Sequence, residues 1–192
     1  MEDNTPIKSI TYNNTNPNSK TKMIQEHKTN KNKKRVQAEQ WTFSIDHYNY
    51  NNQFQMVKHI LSNHFTFNDG VEKIAIQQIN RKIYGYKQQD LIKKLFNQTS
   101  FITLESIINK MVECELKCYY CSNEMNVLYD ISREMKQWTV DRINNDLGHN
   151  VDNFFLACLE CNLKRRRRSD EKFLFTKQMK LVKIPGENTS LV

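Results

Sequence analysis

Apolar residues fall into helical and strand-like spacings from Trp41 onward, whereas the forty residues before it hold few of them. Only eight of residues 1–40 are apolar (Met1, Ile7, Ile10, Tyr12, Met23, Ile24, Val36 and Ala38), and none is Leu, Phe or Trp. Such a segment buries too little surface to offset the entropy lost on ordering, so a disordered arm is expected over 1–40. Residues 53–112 read as helical. Asn68-Asp69-Gly70 is a turn signal ahead of a helix from Val71 to Ile83. Gly85 is expected to break that helix, and a second is predicted over Gln88–Asn97, with Leu91, Ile92, Leu95 and Phe96 on one face. Thr103 is a candidate N-cap for a third, in which Leu104, Ile107, Ile108, Met111 and Val112 recur at helical spacing.

The pattern changes after Cys118. Gln137–Asp141 reads as a strand ending in a carboxylate, and Asn153–Cys158 as a second, apolar strand. Between them lies the polar loop Arg142 to His149, with a turn at Gly148. A helix is expected from Leu159, extended by the basic run Arg165 to Arg168. The expected fold class is therefore α+β. The predicted organisation is an arm (1–40), a helical subdomain (41–113), a cysteine-bearing module (114–182) and a flexible tail (183–192).

Charge sharpens this picture. The chain of 192 residues carries a formal +8, the arm +4, and the segment from Cys118 to Cys161 a net of −4. A basic body around an acidic patch suits a polyanionic partner and a patch that takes a cation, although basic balance alone also serves solubility. Lys31-Asn32-Lys33-Lys34-Arg35 reads foremost as a solvated charge run. The stretch from Arg81 to Lys87, with Lys93 and Lys94, interleaves basic residues with tyrosines; the tyrosines are read first as helix contacts. With no apolar run near 18 residues and a polar N-terminus, no membrane span or signal peptide is expected. The reading is an intracellular protein, not secreted, with reduced cysteines.

Four of the five cysteines fit one pattern: Cys118-x2-Cys121 and, after 36 residues, Cys158-x2-Cys161. Each pair can aim two sulfurs at one ion. Two pairs complete a tetrahedral thiolate shell that zinc accepts and that leaves no open position, so this zinc is expected to be structural. Asp46-His47 has no cysteine pair after it at useful distance and is set aside.

The segment WTVDRINNDLGHNVDNFFLACLECNLKRR resembles the core of an HNH endonuclease with flanking zinc knuckles. It is similar to the branch, found in phages and large DNA viruses, that reads Asp-Arg where others read Asp-His. With the lead-in IYGYKQQDLIKKLFNQTSFITLESIINKMVECELKCYYC, the resemblance spans about residues 75–178. It implies a ββα-metal fold, a DNA substrate and a catalytic Mg²⁺ or Mn²⁺ beside the structural zinc. It assigns the ion to Asp141 and Asn162, and to Asn153 the hydrogen bonds that tie the loop to the hairpin. Lys164 and Arg165, Arg166, Arg167 and Arg168 are expected to grip the DNA backbone. Where the family usually places a histidine base stands Arg142, which cannot accept a proton at neutral pH. His149 is the candidate base and Arg142 the candidate phosphate clamp. Two other readings stay open: a catalytically inactive relative that binds nucleic acid, and a zinc-knuckle adaptor for protein partners.

Overall fold

A computed structural model of the chain describes residues 33–64 and 70–179. In chain order its regular elements are two short 3-10 turns (Val36–Gln40 and Ile45–Tyr48), α1 (Tyr50–Leu61), α2 (Val71–Lys93), α3 (Leu104–Glu113), β1 (Trp138–Arg142), β2 (Phe154–Cys158), α4 (Leu159–Arg165) and α5 (Asp170–Gln178). The architecture is α+β: helices around a small antiparallel hairpin. β1 and β2 pair in the register Trp138↔Cys158 through Arg142↔Phe154, so Asp141 stands opposite Phe155. No helix among the described residues is long and apolar enough to cross a membrane.

Local sequence accounts for most of these elements. The Asn49 side chain accepts from the Asn51 amide and opens α1. Thr103 and Ser106 cap each other at the start of α3 in a reciprocal box, and Ile107, Ile108 and Met111 turn inward. The helices and the hairpin share one core. Met56 and Val57 of α1, Ala75 and Ile79 of α2 and Met111 of α3 are buried in the same cluster as Met125, Leu128, Trp138 and Leu156. The expected boundary at 113/114 therefore does not divide the core. Buried Gln53 stitches α1 to the cysteine-bearing part: its Oε1 accepts from the amides of Val127 and Leu128 at 2.7 and 2.8 Å, and its Nε2 donates to Leu128 O.

Three expectations need correction. Ordered structure reaches back to Lys33, ahead of the Trp41 start inferred from composition. Arg35 supplies the reason: its guanidinium lies 4.3 Å from the Tyr129 ring centroid and donates to Tyr129 O and Gln78 Oε1, while Lys34 bridges to Ile131. The rest of the arm, the tail 183–192, and Asn68 and Asp69 of the turn signal lie outside the described residues. At the other end, the basic run does not extend α4. The helix stops at Arg165, and Arg166 adopts a left-handed φ of 57°.

The third correction is that α2 does not break at Gly85 but continues to Lys93, where Lys94 ends it at a φ of 57°. Tertiary contacts outweigh the local glycine cost. Lys82, Tyr86 and Asp90 recur at i, i+4 and i+8 and run along the hairpin and its loop. Lys82 Nζ donates to Trp138 O, the Tyr86 hydroxyl accepts from the Val140 amide, and Asp90 accepts from the His149 amide. Burial pushes the Lys82 amine down to about 7, with Arg35 adding to the effect. Leu91 and Ile92, expected on a core face, are 46 % and 82 % exposed.

Gly85 thus sits mid-helix, and a Cβ built there meets nothing within 4 Å. Gly85→Ala is expected to stabilise the fold by about 0.5–1 kcal/mol through helix propensity. A thermal melt should show a rise of about 2 °C. A lower melting temperature would mean that α2 bends at this point in solution.

Candidate functional site

The two cysteine pairs arrive on different scaffolds. Cys118 and Cys121 flank a tight turn in which the Cys118 amide donates to Asn123 O and the Ser122 amide to Cys118 O, with Ser122 at a φ of 56°. Cys158 ends β2 and caps α4, its Sγ accepting from the Cys161 amide, which places Cys161 on the first turn of that helix. The four sulfurs lie within 4.8 Å of one another, with Cys121 and Cys158 at 3.9 Å. A tetrahedron with Zn–S bonds of about 2.3 Å needs sulfurs about 3.8 Å apart, so the cluster can hold a metal ion such as zinc. A hydrogen bond from Cys158 draws the Cys118 thiol down to about 5, while that same bond pushes Cys158 up. Burial and the neighbouring sulfurs raise Cys161 to about 12. Four thiolates this close need a cation among them. Cys114, at the end of α3, stands apart and points its thiol at Met111 O. Among the described residues no other group of three or more His, Cys, Asp or Glu converges in this way.

α4 leaves β2 at Cys158, and its last residue, Arg165, reaches the end of the hairpin that the loop closes. Asp141 is buried, and both of its oxygens are engaged: Oδ2 accepts from the Tyr120 hydroxyl at 2.7 Å and Oδ1 from Arg165 Nη1 at 2.8 Å. Burial pushes the Asp141 carboxyl up, against the pull of Tyr120 and Arg165. Arg165 is 0 % exposed and directs three more of its donors at the carbonyls of Arg142, Ile143 and Arg168. It cannot grip DNA from there, which corrects its assignment to the backbone-binding run. Arg168 is also partly committed, donating to Lys164 O and lying over the Phe173 ring. Lys164 is exposed and paired with Glu160, whereas Arg166 and Arg167 are exposed.

Asn162 stands one turn before Arg165 on the same helix. Its Nδ2 donates to Thr139 Oγ1 at 3.0 Å and Val140 O at 3.2 Å, and its Oδ1 accepts no hydrogen bond among the described residues. Asn153 ties the loop to the base of the hairpin. Its Oδ1 accepts from the Asn144 amide, and its Nδ2 donates to the carbonyls of Asn144 and Gly148. Arg142 folds over the same loop, donating to Leu147 O at 2.8 Å.

His149 belongs to the other side of the loop. It is buried, its ring stacks on Tyr86 with centroids 4.7 Å apart, and its Nδ1 lies 2.7 Å from Asp90 Oδ1. Burial pushes the imidazole below the usual histidine range, while Asp90 pulls it back up. The Tyr86 hydroxyl reaches the Val140 amide, one residue from Asp141. The structure thus gathers Asp141, Arg142, Asn153, Asn162 and Arg165 at one end of the hairpin. His149 is linked to that end through Tyr86.

Sequence reasoning missed Tyr120, Tyr86 and Asp90 as members of the site. Tyr120 had a signal, since it lies inside the first cysteine pair. Asp90 had none that a single sequence carries.

The donor set bears on a second, divalent ion. With Tyr120 and Arg165 each taking one lone pair, Asp141 keeps one on each oxygen, and Asn162 adds a free Oδ1. Two hard oxygens suit Mg²⁺, which otherwise keeps waters and takes phosphate oxygens. The guanidinium at 2.8 Å opposes such an ion electrostatically. Comparison with protein-family models, curated proteins and solved structures finds no match to this chain.

Proposed function

We propose that this chain is a DNA endonuclease of the HNH type, hydrolysing phosphodiester bonds around a structural zinc. The observation that carries this reading is the ββα arrangement itself. A four-cysteine cluster fastens the Cys118–Cys121 turn to the junction of an antiparallel hairpin and the helix after it. Asn162 of that helix bonds Thr139 and the Val140 carbonyl on the strand that carries Asp141, and Asn153 pins the intervening loop.

In this reading Asp141 and Asn162 would hold Mg²⁺ or Mn²⁺, which would supply positive charge where negative charge develops on the phosphate. The remaining roles fall to the chain. Arg142 keeps donors free beyond its bond to Leu147 O and can clamp the scissile phosphate. Tyr120 and Arg165 hold the Asp141 carboxylate in one orientation. Exposed Arg166 and Arg167 offer charge to the DNA backbone.

One observation favours a second reading, a zinc module that binds nucleic acid without cutting it. Asp141 is buried, with both oxygens engaged and a guanidinium against it. Supercoiled plasmid with Mg²⁺ or Mn²⁺ separates the two. The nuclease reading expects relaxed circles, and a fall of roughly 10²-fold or more in Asp141→Asn, a variant that keeps the side chain's shape and the zinc. Plasmid left intact by the unaltered protein, with DNA affinity that falls steeply with salt, would select the second reading.

A further inference from the structure

We infer that Asp90 of α2 is a positioning residue that fixes His149 with its hydrogen on Nδ1 and so presents Nε2 as a proton acceptor beside the hairpin. What that acceptor serves rests on the nuclease reading; its existence does not.

Asp90 is 0 % exposed and lies 59 residues from His149 in sequence. Its two oxygens divide between one residue: Oδ2 accepts from the His149 amide at 2.6 Å, and Oδ1 faces Nδ1 at 2.7 Å. A carboxylate only accepts, so Nδ1 carries the hydrogen and Nε2 is left bare. Nε2 meets no hydrogen-bond partner among the described residues.

Two features hold this geometry. The ring stacks on Tyr86, which is itself tied to the Val140 amide. Gly148 lets the loop approach α2, since a Cβ there would stand 2.4 Å from Leu95 O and 2.9 Å from Asp90 Oδ2. A residue serving only to cap the loop needs the amide bond alone. Asp90 orients the ring as well.

The groups facing the imidazole are Asp90, Tyr86, Arg142 and Lys93. Burial and the two cations keep the ring neutral near pH 7, and Asp90 keeps the neutral form in one tautomer. The link from this acceptor to the end of the hairpin runs through Tyr86, which stacks on the imidazole and whose hydroxyl accepts from the Val140 amide, one residue from Asp141. A proton taken from water by Nε2 would leave an imidazolium paired with the Asp90 carboxylate. A buried histidine needs that compensation to act as a base.

Long-range ¹H–¹⁵N correlation on the full chain, labelled at histidine nitrogen and held at pH 7, reads the tautomer directly. His149 is expected with Nδ1 protonated and Nε2 bare. Asp90→Asn should invert it. The His149 amide claims the Asn oxygen, the Asn NH₂ then faces Nδ1, and the ring must move its hydrogen to Nε2. Nicking should then fall by roughly 10²-fold or more, with zinc content and DNA affinity kept. An Nε2–H tautomer or an imidazolium in the unaltered protein overturns the inference, and an Asp90→Asn protein that nicks at the parental rate overturns the part of it that has the acceptor serve cleavage. If Asp90→Asn fails to fold, the tautomer of the unaltered protein still decides the matter. If the unaltered protein does not nick with either ion, the nuclease reading falls, and the tautomer still shows whether Asp90 sets His149.

Discussion

Purified protein should carry one zinc per chain, and stripping it with a chelator should unfold the protein in one step. The cluster draws its four sulfurs from two segments that are otherwise joined only through the hairpin and the core. Without a cation the clustered sulfurs either repel one another as thiolates or must take up protons. Structural zinc sites supply apparent binding free energies of about 10–16 kcal/mol at neutral pH. A domain of this size has a net stability of about 5–15 kcal/mol, so the metal's contribution rivals the whole.

The shared core gives the prediction a second part. Cys118, Cys158 and Cys161 are buried in the cluster that includes Ile107 and Met111 of α3 and Met56 of α1. Loss of the cluster should therefore melt the helices together with the hairpin. Fluorescence of buried Trp138 and the helical circular-dichroism signal should change together on chelation, and Cys118→Ser or Cys158→Ser should behave alike. A metal-free protein that keeps both signals would remove the zinc from the account of the fold.

Features read through short-range spacing were legible in the sequence. The x2 spacing of each cysteine pair drew the right four sulfurs together out of five cysteines. The strand expected over Gln137–Asp141 is shifted by one residue at each end from β1, and the one expected over Asn153–Cys158 starts one residue before β2. Thr103 caps α3, and the apolar positions at helical spacing turn inward as written. In each case the determinant lies within a few residues of what it determines.

Features set by contacts distant in sequence were not legible. Gly85 looks like a breaker because intrinsic propensity is local, yet α2 continues through it, with partners at Trp138, Val140 and His149 on either side. Arg35 reads as one charge in a solvated run until Tyr129 and Gln78 are seen to receive it. Asp90 is a single acid on a helix whose role depends on a loop far along the chain.

Arg165 is the sharpest case, because its neighbours Arg166, Arg167 and Arg168 share its chemistry and not its environment. A signal did exist. Arg165 lies four residues after Cys161 and three after Asn162, which puts all three on one face of α4. That face meets the cluster and the hairpin, so the arginine there had to turn inward. Its guanidinium neutralises buried Asp141 and collects the carbonyls of Arg142, Ile143 and Arg168, joining the end of β1 to the end of α4.

Removing one partner of a buried ion pair leaves the other charged and desolvated, at a cost of about 3–5 kcal/mol. Arg165→Met is expected to lose that much in denaturant unfolding measured with zinc present. Combining it with Asp141→Leu should recover most of the loss, since no buried charge then remains. The exposed pair should behave in the opposite way. Arg166→Ala with Arg167→Ala should change stability by no more than about 0.5 kcal/mol per site. The same double change should flatten the dependence of log DNA affinity on log salt by up to about two units. If Arg165→Met unfolds at the parental denaturant midpoint, the guanidinium is not buried in solution, Asp141 is free for an ion, and all four arginines return to the DNA-facing run.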